Sequence, residues 1–100
     1  MRPVHGMRDA DRPILEILDE SGLALRATSI RYNLRTRYDT EVAEATLYRR
    51  LKVLTYAGVL EKEDDTYYSI TELGQRYLDE ELGDEEVAEV SQRLQEGPDS

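Results

Sequence analysis

The hydrophobic positions of this chain change their period at defined points, and those points divide it into elements. Ile14, Leu15, Ile17 and Leu18 recur at helical spacing, with Glu16, Asp19 and Glu20 turned to solvent. Asp11 is the expected N-cap, Pro13 sits where a first turn tolerates proline, and Ser21-Gly22 ends this helix. Leu23-Ala24-Leu25 is long enough only for a β-bridge or the edge strand of a small sheet. Ala27, Ile30 and Leu34 predict a second helix over 27–37, with Arg31, Arg35 and Arg37 outside it beside Tyr32 and Tyr38. The period breaks from Tyr38 to Glu41, which predicts a turn. Val42 anchors entry to a third helix, and Glu44 falls in its first turn, where negative charge is favoured.

Leu47, Leu51 and Leu54 form the buried stripe of that third helix, and Gly58 fits its C-terminal cap. The period then switches to two. Residues 59–63 and 66–71 alternate around Asp64-Asp65, which predicts a β-hairpin with Leu60, Tyr68 and Ile70 inward. Thr71 caps a fourth helix that buries Leu73, Tyr77 and Leu78. Asp84 is expected to cap a last helix bearing Val87, Val90 and Leu94, which stops at Gly97-Pro98. Met1 to Ala10 has no periodicity and contains Pro3 and Gly6, so a mobile segment is expected. The organisation read from these patterns is a flexible N-terminus (1–10), one domain (11–82), and an acidic helix and tail (83–100).

The third helix carries the distinctive chemistry. At roughly 100° per residue, Ala45, Arg49, Lys52 and Tyr56 point away from the leucine stripe. Thr46 and Tyr48 flank that outer face, and Arg50 lies nearer the buried edge. No acid occurs between Thr46 and Leu60. A helix that buries leucines and offers Arg, Lys, Tyr and Thr suits a DNA major groove, where arginine supplies paired donors to guanine edges. The bland reading is an amphipathic helix with a basic solvent face.

Charge bears on that choice. The net charge of −9 argues by itself against a nucleic-acid partner. Locally the sign reverses: residues 26–58 hold seven basic against three acidic residues, whereas 59–100 hold three against fourteen. A basic island in an acidic chain is a binding signal. Arginine outnumbers lysine 11 to 2, and with abundant acids this composition resembles that of a salt-in halophile, whose acidic surface keeps proteins hydrated. The alternative is an ordinary acidic bacterial protein from a GC-rich genome that favours arginine.

The absence of cysteine removes disulfides and thiol chemistry, and the single histidine, His5, makes a histidine metal site or triad improbable. No nucleophile–base pair, glycine-rich phosphate loop or ligand spacing is present, so neither enzymatic activity nor a cofactor is expected. No apolar run approaches the roughly 20 residues of a membrane span, and a cytoplasmic location is expected.

Helix, short strand, helix, turn, helix, hairpin, helix is the order of a winged helix-turn-helix, mainly α with a small antiparallel hairpin. Thr46-Leu-Tyr-Arg-Arg-Leu-Lys-Val-Leu-Thr-Tyr-Ala-Gly-Val-Leu-Glu61 and Tyr67-Tyr-Ser-Ile-Thr-Glu-Leu-Gly-Gln-Arg-Tyr-Leu78 resemble PadR-type regulators and related winged-helix repressors, most of all the small halophilic-archaeal proteins similar to a halophage repressor. The resemblance spans about residues 11–82. It implies a sequence-specific DNA-binding transcriptional regulator whose helix around 44–57 enters the major groove. It also implies Thr46, Tyr48, Arg49, Arg50 and Lys52 as DNA contacts, with Arg31 and Arg35 on phosphates. The chain departs from the pattern at Ala43, where Ser or Thr often caps the recognition helix, and at the acidic wing tip Glu63-Asp64-Asp65. That tip implies a short wing that stays out of the minor groove or serves another purpose. The alternative is a winged-helix module that binds protein through the same surfaces. The 85–96 stripe must be covered by the first helix of its own chain or by a twofold mate. The resembled regulators dimerise through terminal helices, so the mate is expected, giving a homodimer on double-stranded DNA. No membrane partner is expected, and any small-molecule effector is left unnamed.

Overall fold

A computed structural model describes residues 1–98 of the chain. The elements run α1 (Asp11–Ser21), β1 (Leu25–Arg26), α2 (Ala27–Tyr38), α3 (Glu44–Tyr56), β2 (Leu60–Glu63), β3 (Tyr67–Ile70), α4 (Glu72–Leu78) and α5 (Asp84–Glu96). This is the winged helix-turn-helix order. The strands form an antiparallel sheet in the order β1-β3-β2, so the short strand closes the open side of the hairpin. Leu25 pairs with Tyr68, and Leu60 pairs with Ile70.

The predicted stripes meet in one core. Ile14, Leu15 and Leu18 of α1, Ile30 and Leu34 of α2, and Leu47, Leu51 and Leu54 of α3 are all essentially inaccessible. Leu60 and Tyr68 close this core from the sheet, with Ile70 half-buried beside them. The turn that orients α3 is held by Arg31, whose Nε donates to the Val42 carbonyl at 2.9 Å. Ala43 gives α3 no side-chain cap, as its residue type dictates.

The exit from α3 is equally determined. Val59 N–H donates to Leu54 O at 3.2 Å and Gly58 N–H to Thr55 O at 3.0 Å, the paired bonds of a Schellman cap. Gly58 sits at φ +89°, a conformation that penalises side chains bearing a Cβ. Thr71 caps α4 by accepting from Gly74 N–H at 3.1 Å. At the wing tip Asp64 and Asp65 both take left-handed φ, 48° and 59°, which suits the twist of a tight hairpin.

Four expectations are corrected, the last being the cap of α5. The N-terminal segment is docked: Val4 and Met7 pack on the core, Ala10 is buried, and His5 N–H donates to Ser91 Oγ at 3.0 Å. Asp11 is the first residue of α1, not its cap; Ala10 occupies the cap position, and Asp11 is buried. The α5 stripe is covered within the chain, with Val87, Val90 and Leu94 at 5%, 2% and 5% exposure. It packs on α3 and the N-terminal segment. At the start of α5, Gly83 is the cap residue and its N–H is held by the Glu86 carboxylate at 3.0 Å. Segments 1–10 and 83–96 therefore belong to the same packed unit as 11–82, while Asp99 and Ser100 of the expected tail lie outside the described residues.

Candidate nucleic-acid interface

The outward face of α3 is exposed, with α5 reaching its C-terminal end. Ala45, Tyr48, Arg49, Lys52 and Tyr56 are exposed, and Glu44 at the first turn is the helix's sole carboxylate. Thr46 is half-buried on one edge of this face. The guanidinium of Arg49 has no carboxylate, carbonyl or ring partner among the described residues. Tyr56 is less available, because its hydroxyl donates to the Glu96 carboxylate of α5; that hydrogen bond holds the phenol pKa above its ordinary value.

Arg50 is not on this face. It is buried, and its Nε and Nη2 donate to the Asp11 carboxylate at 3.0 and 2.6 Å. A further donation from Nη2 reaches Gly6 O at 3.3 Å. The expectation that Arg50 touches DNA is therefore corrected. Its position turns it toward α1 and the N-terminal segment, where a buried carboxylate requires a cation. Arg31 is half-buried and gives its Nε to the turn, so it fixes the approach of α2 to α3. Arg35 is exposed on α2 and lies over the Tyr32 ring at 5.6 Å.

Two flanks complete the surface. On one side a groove of about 270 Å³ runs between the start of α2, α3 and the wing, lined by Arg26, Thr28, Tyr48, Lys62, Thr66 and Tyr68 among others. Lys62 lies over the Tyr68 ring at 5.8 Å and Arg26 over Tyr67 at 5.1 Å, so aromatic faces hold both cations beside α3. The reading of the sequence missed Arg26, Thr28 and Lys62. Lys62 had a signal: it continues the inward alternation begun by Leu60, beyond the point where the core can cover it. The exposed wing tip Glu63-Asp64-Asp65 bears the opposite charge, and Asp65 lines the same groove.

On the other side a cleft of about 540 Å³ separates α3 from the N-terminal segment, with Thr46, Arg49 and Arg50 on one wall and Met7 to Ala10 on the other. Among the described residues no group of acidic, histidine or cysteine side chains is arranged to hold a metal ion. No helix there is long and apolar enough to cross a membrane.

The fold thus presents a basic helix face between a short wing and a preceding helix. No curated protein and no solved structure matches the chain. A family model, the winged helix-turn-helix phage repressor, matches residues 1–90, taking in the docked N-terminal segment and the start of α5. By that match and by its fold, the chain belongs to the winged helix-turn-helix phage repressor family.

Proposed function

We propose that the chain is a sequence-specific DNA-binding transcriptional repressor that lays α3 in the major groove of duplex DNA. One observation carries the reading. In a chain of net charge −9, α3 has no carboxylate of its own beyond Glu44 and presents Arg49 and Tyr48, with Lys52 exposed beside them. Arg49 stands at the centre of that face and is the residue for bidentate base contact. Tyr48 and Lys52 lie on the side of Lys62 and Tyr68 of the wing, and Thr46 lines the cleft on the other side. Arg35 and Arg26 meet flanking phosphates, a positioning role that carries no sequence information. The acidic wing tip repels phosphate, which favours an approach in which the wing stays short of the minor groove.

A twofold pair on a palindromic operator remains the reading for assembly. Its interface lies away from the α5 stripe, which the chain already covers. Selection of binding sites from random duplex DNA, repeated across a salt series, tests the function. The repressor reading expects an enriched sequence and affinity that falls steeply with salt through counterion release. A protein-binding module of the same fold gives no enriched sequence.

A further inference from the structure

The cleft between α3 and the N-terminal segment contains an arrangement the recognition helix does not account for. Among the described residues, Arg8 and Arg49 alone leave their guanidinium groups without a partner. Every other arginine there gives its guanidinium to a carboxylate, a carbonyl, a side-chain amide or a ring. In a chain with 22 acidic residues, uncommitted guanidiniums are the exception. These two line the same open cleft from different elements.

The backbone of Arg8 is fixed. Its N–H donates to Asp11 Oδ2 at 2.8 Å, and its carbonyl accepts from Asp11 N–H at 3.0 Å. Asp11 is in turn held by Arg50 from within α3, which also grips the segment at Gly6 O. The buried pair thus ties the Arg8 backbone to the recognition helix, and no ordering of the segment is required on binding. Asp9, exposed in the same cleft, is the one carboxylate among the described residues that line it.

The geometry points to a phosphate site: Arg8 contacts a backbone phosphate of the duplex beside the stretch of groove that Arg49 enters. This rests on the DNA-binding reading and adds to it a contact from outside the helix-turn-helix. The occupant is a phosphodiester because the cleft is open, adjoins the proposed reading face and presents paired-donor cations, the chemistry that recognises phosphate oxygens. The Arg8 contact fixes register on the duplex and carries no base preference.

The test compares wild type with Arg8→Ala, Arg8→Lys and Asp9→Asn on a selected operator and on scrambled duplex from 0.05 to 0.5 M potassium chloride, with urea midpoints as a folding control. Arg8→Ala is expected to weaken both duplexes about equally, by roughly three- to tenfold near 0.1 M salt. It also lowers the magnitude of the log K against log salt slope by about 0.9. Arg8→Lys keeps most of the slope, and Asp9→Asn tightens both duplexes, each at an unchanged urea midpoint. Wild-type binding with Arg8→Ala indistinguishable from it overturns this inference alone, as does an Arg8→Ala loss confined to the operator. Absence of duplex binding by wild type overturns the repressor reading and this contact with it.

Discussion

Replacing Arg50 with alanine removes every side-chain donor that faces the Asp11 carboxylate. Among the described residues, the Arg8 N–H at 2.8 Å is then the one donor left to this carboxylate. A buried ion stripped of its partner costs about 3–5 kcal/mol, because desolvation is no longer offset by the pair. The Asp11 site meets that condition, since the carboxylate shows 0% exposure and Arg50 only 9%. Against a typical domain stability of about 5–15 kcal/mol, this is a large share. Urea unfolding followed by far-ultraviolet circular dichroism, in dilute buffer and in molar potassium chloride, measures it. Molar salt is expected to reduce the penalty little, because screening acts weakly on buried pairs. A second variant, Arg50→Met with Asp11→Leu, removes both charges and is expected to recover most of the loss. A cost below about 1 kcal/mol for Arg50→Ala, the value of an exposed pair, would refute the reasoning. So would Arg50→Ala and Asp11→Ala effects that simply add in the double mutant.

Other perturbations test the packing. A Cβ on Gly74 would lie 2.3 Å from the Val59 carbonyl oxygen and 2.7 Å from Ile70 Cγ1, so Gly74→Ala should exceed the usual overpacking cost of about 1–3 kcal/mol; an unchanged urea midpoint contradicts this. A chain ending before Gly83 loses the burial of Val87, Val90 and Leu94, each contributing about 1.5–3 kcal/mol. Calorimetry should show a strongly lowered or absent cooperative transition, and a wild-type transition would rule the α5 packing out as a contributor. Arg76 donates to Glu86 at 2.6 and 2.7 Å, and with the Gly83 N–H it holds the Glu86 carboxyl below its ordinary value of 4.5. The unfolded chain therefore binds that proton more tightly. The contribution of Glu86 is present above pH 4.5 and lost as pH falls through the depressed value, so Glu86→Gln should flatten the acid limb of the urea midpoint against pH. Parallel curves for the two proteins would contradict it.

The elements were legible because each stripe recurs at its own period and each boundary has its own chemistry, as at Gly58 and Thr71. What was hidden depended on partners distant in sequence. Arg50 sits at the edge of the α3 face, where helical spacing alone allows either solvent or a buried anion. Only the fold reveals that Asp11, 39 residues earlier, provides the anion. Asp11 in turn looked like a cap because aspartate before an apolar run usually is one. The first ten residues pack through isolated apolar contacts, Val4 and Met7, which leave no period to detect. The α5 stripe was visible, yet a stripe does not identify what covers it. Of the expected contacts, Tyr48, Arg49 and Lys52 lie on the open face as the spacing implied, while Arg31 is taken by the turn and Arg50 by Asp11.

The central claim is that α3 reads duplex sequence through Arg49. Its most direct measurement is the affinity of wild type and Arg49→Ala for the selected operator and for the same operator altered one base pair at a time, at fixed salt. The account predicts that wild type discriminates by about 1–3 kcal/mol at the contacted base pair and that Arg49→Ala loses this discrimination while still binding duplex. Equal affinity of wild type for every sequence, or discrimination unchanged in Arg49→Ala, would contradict it.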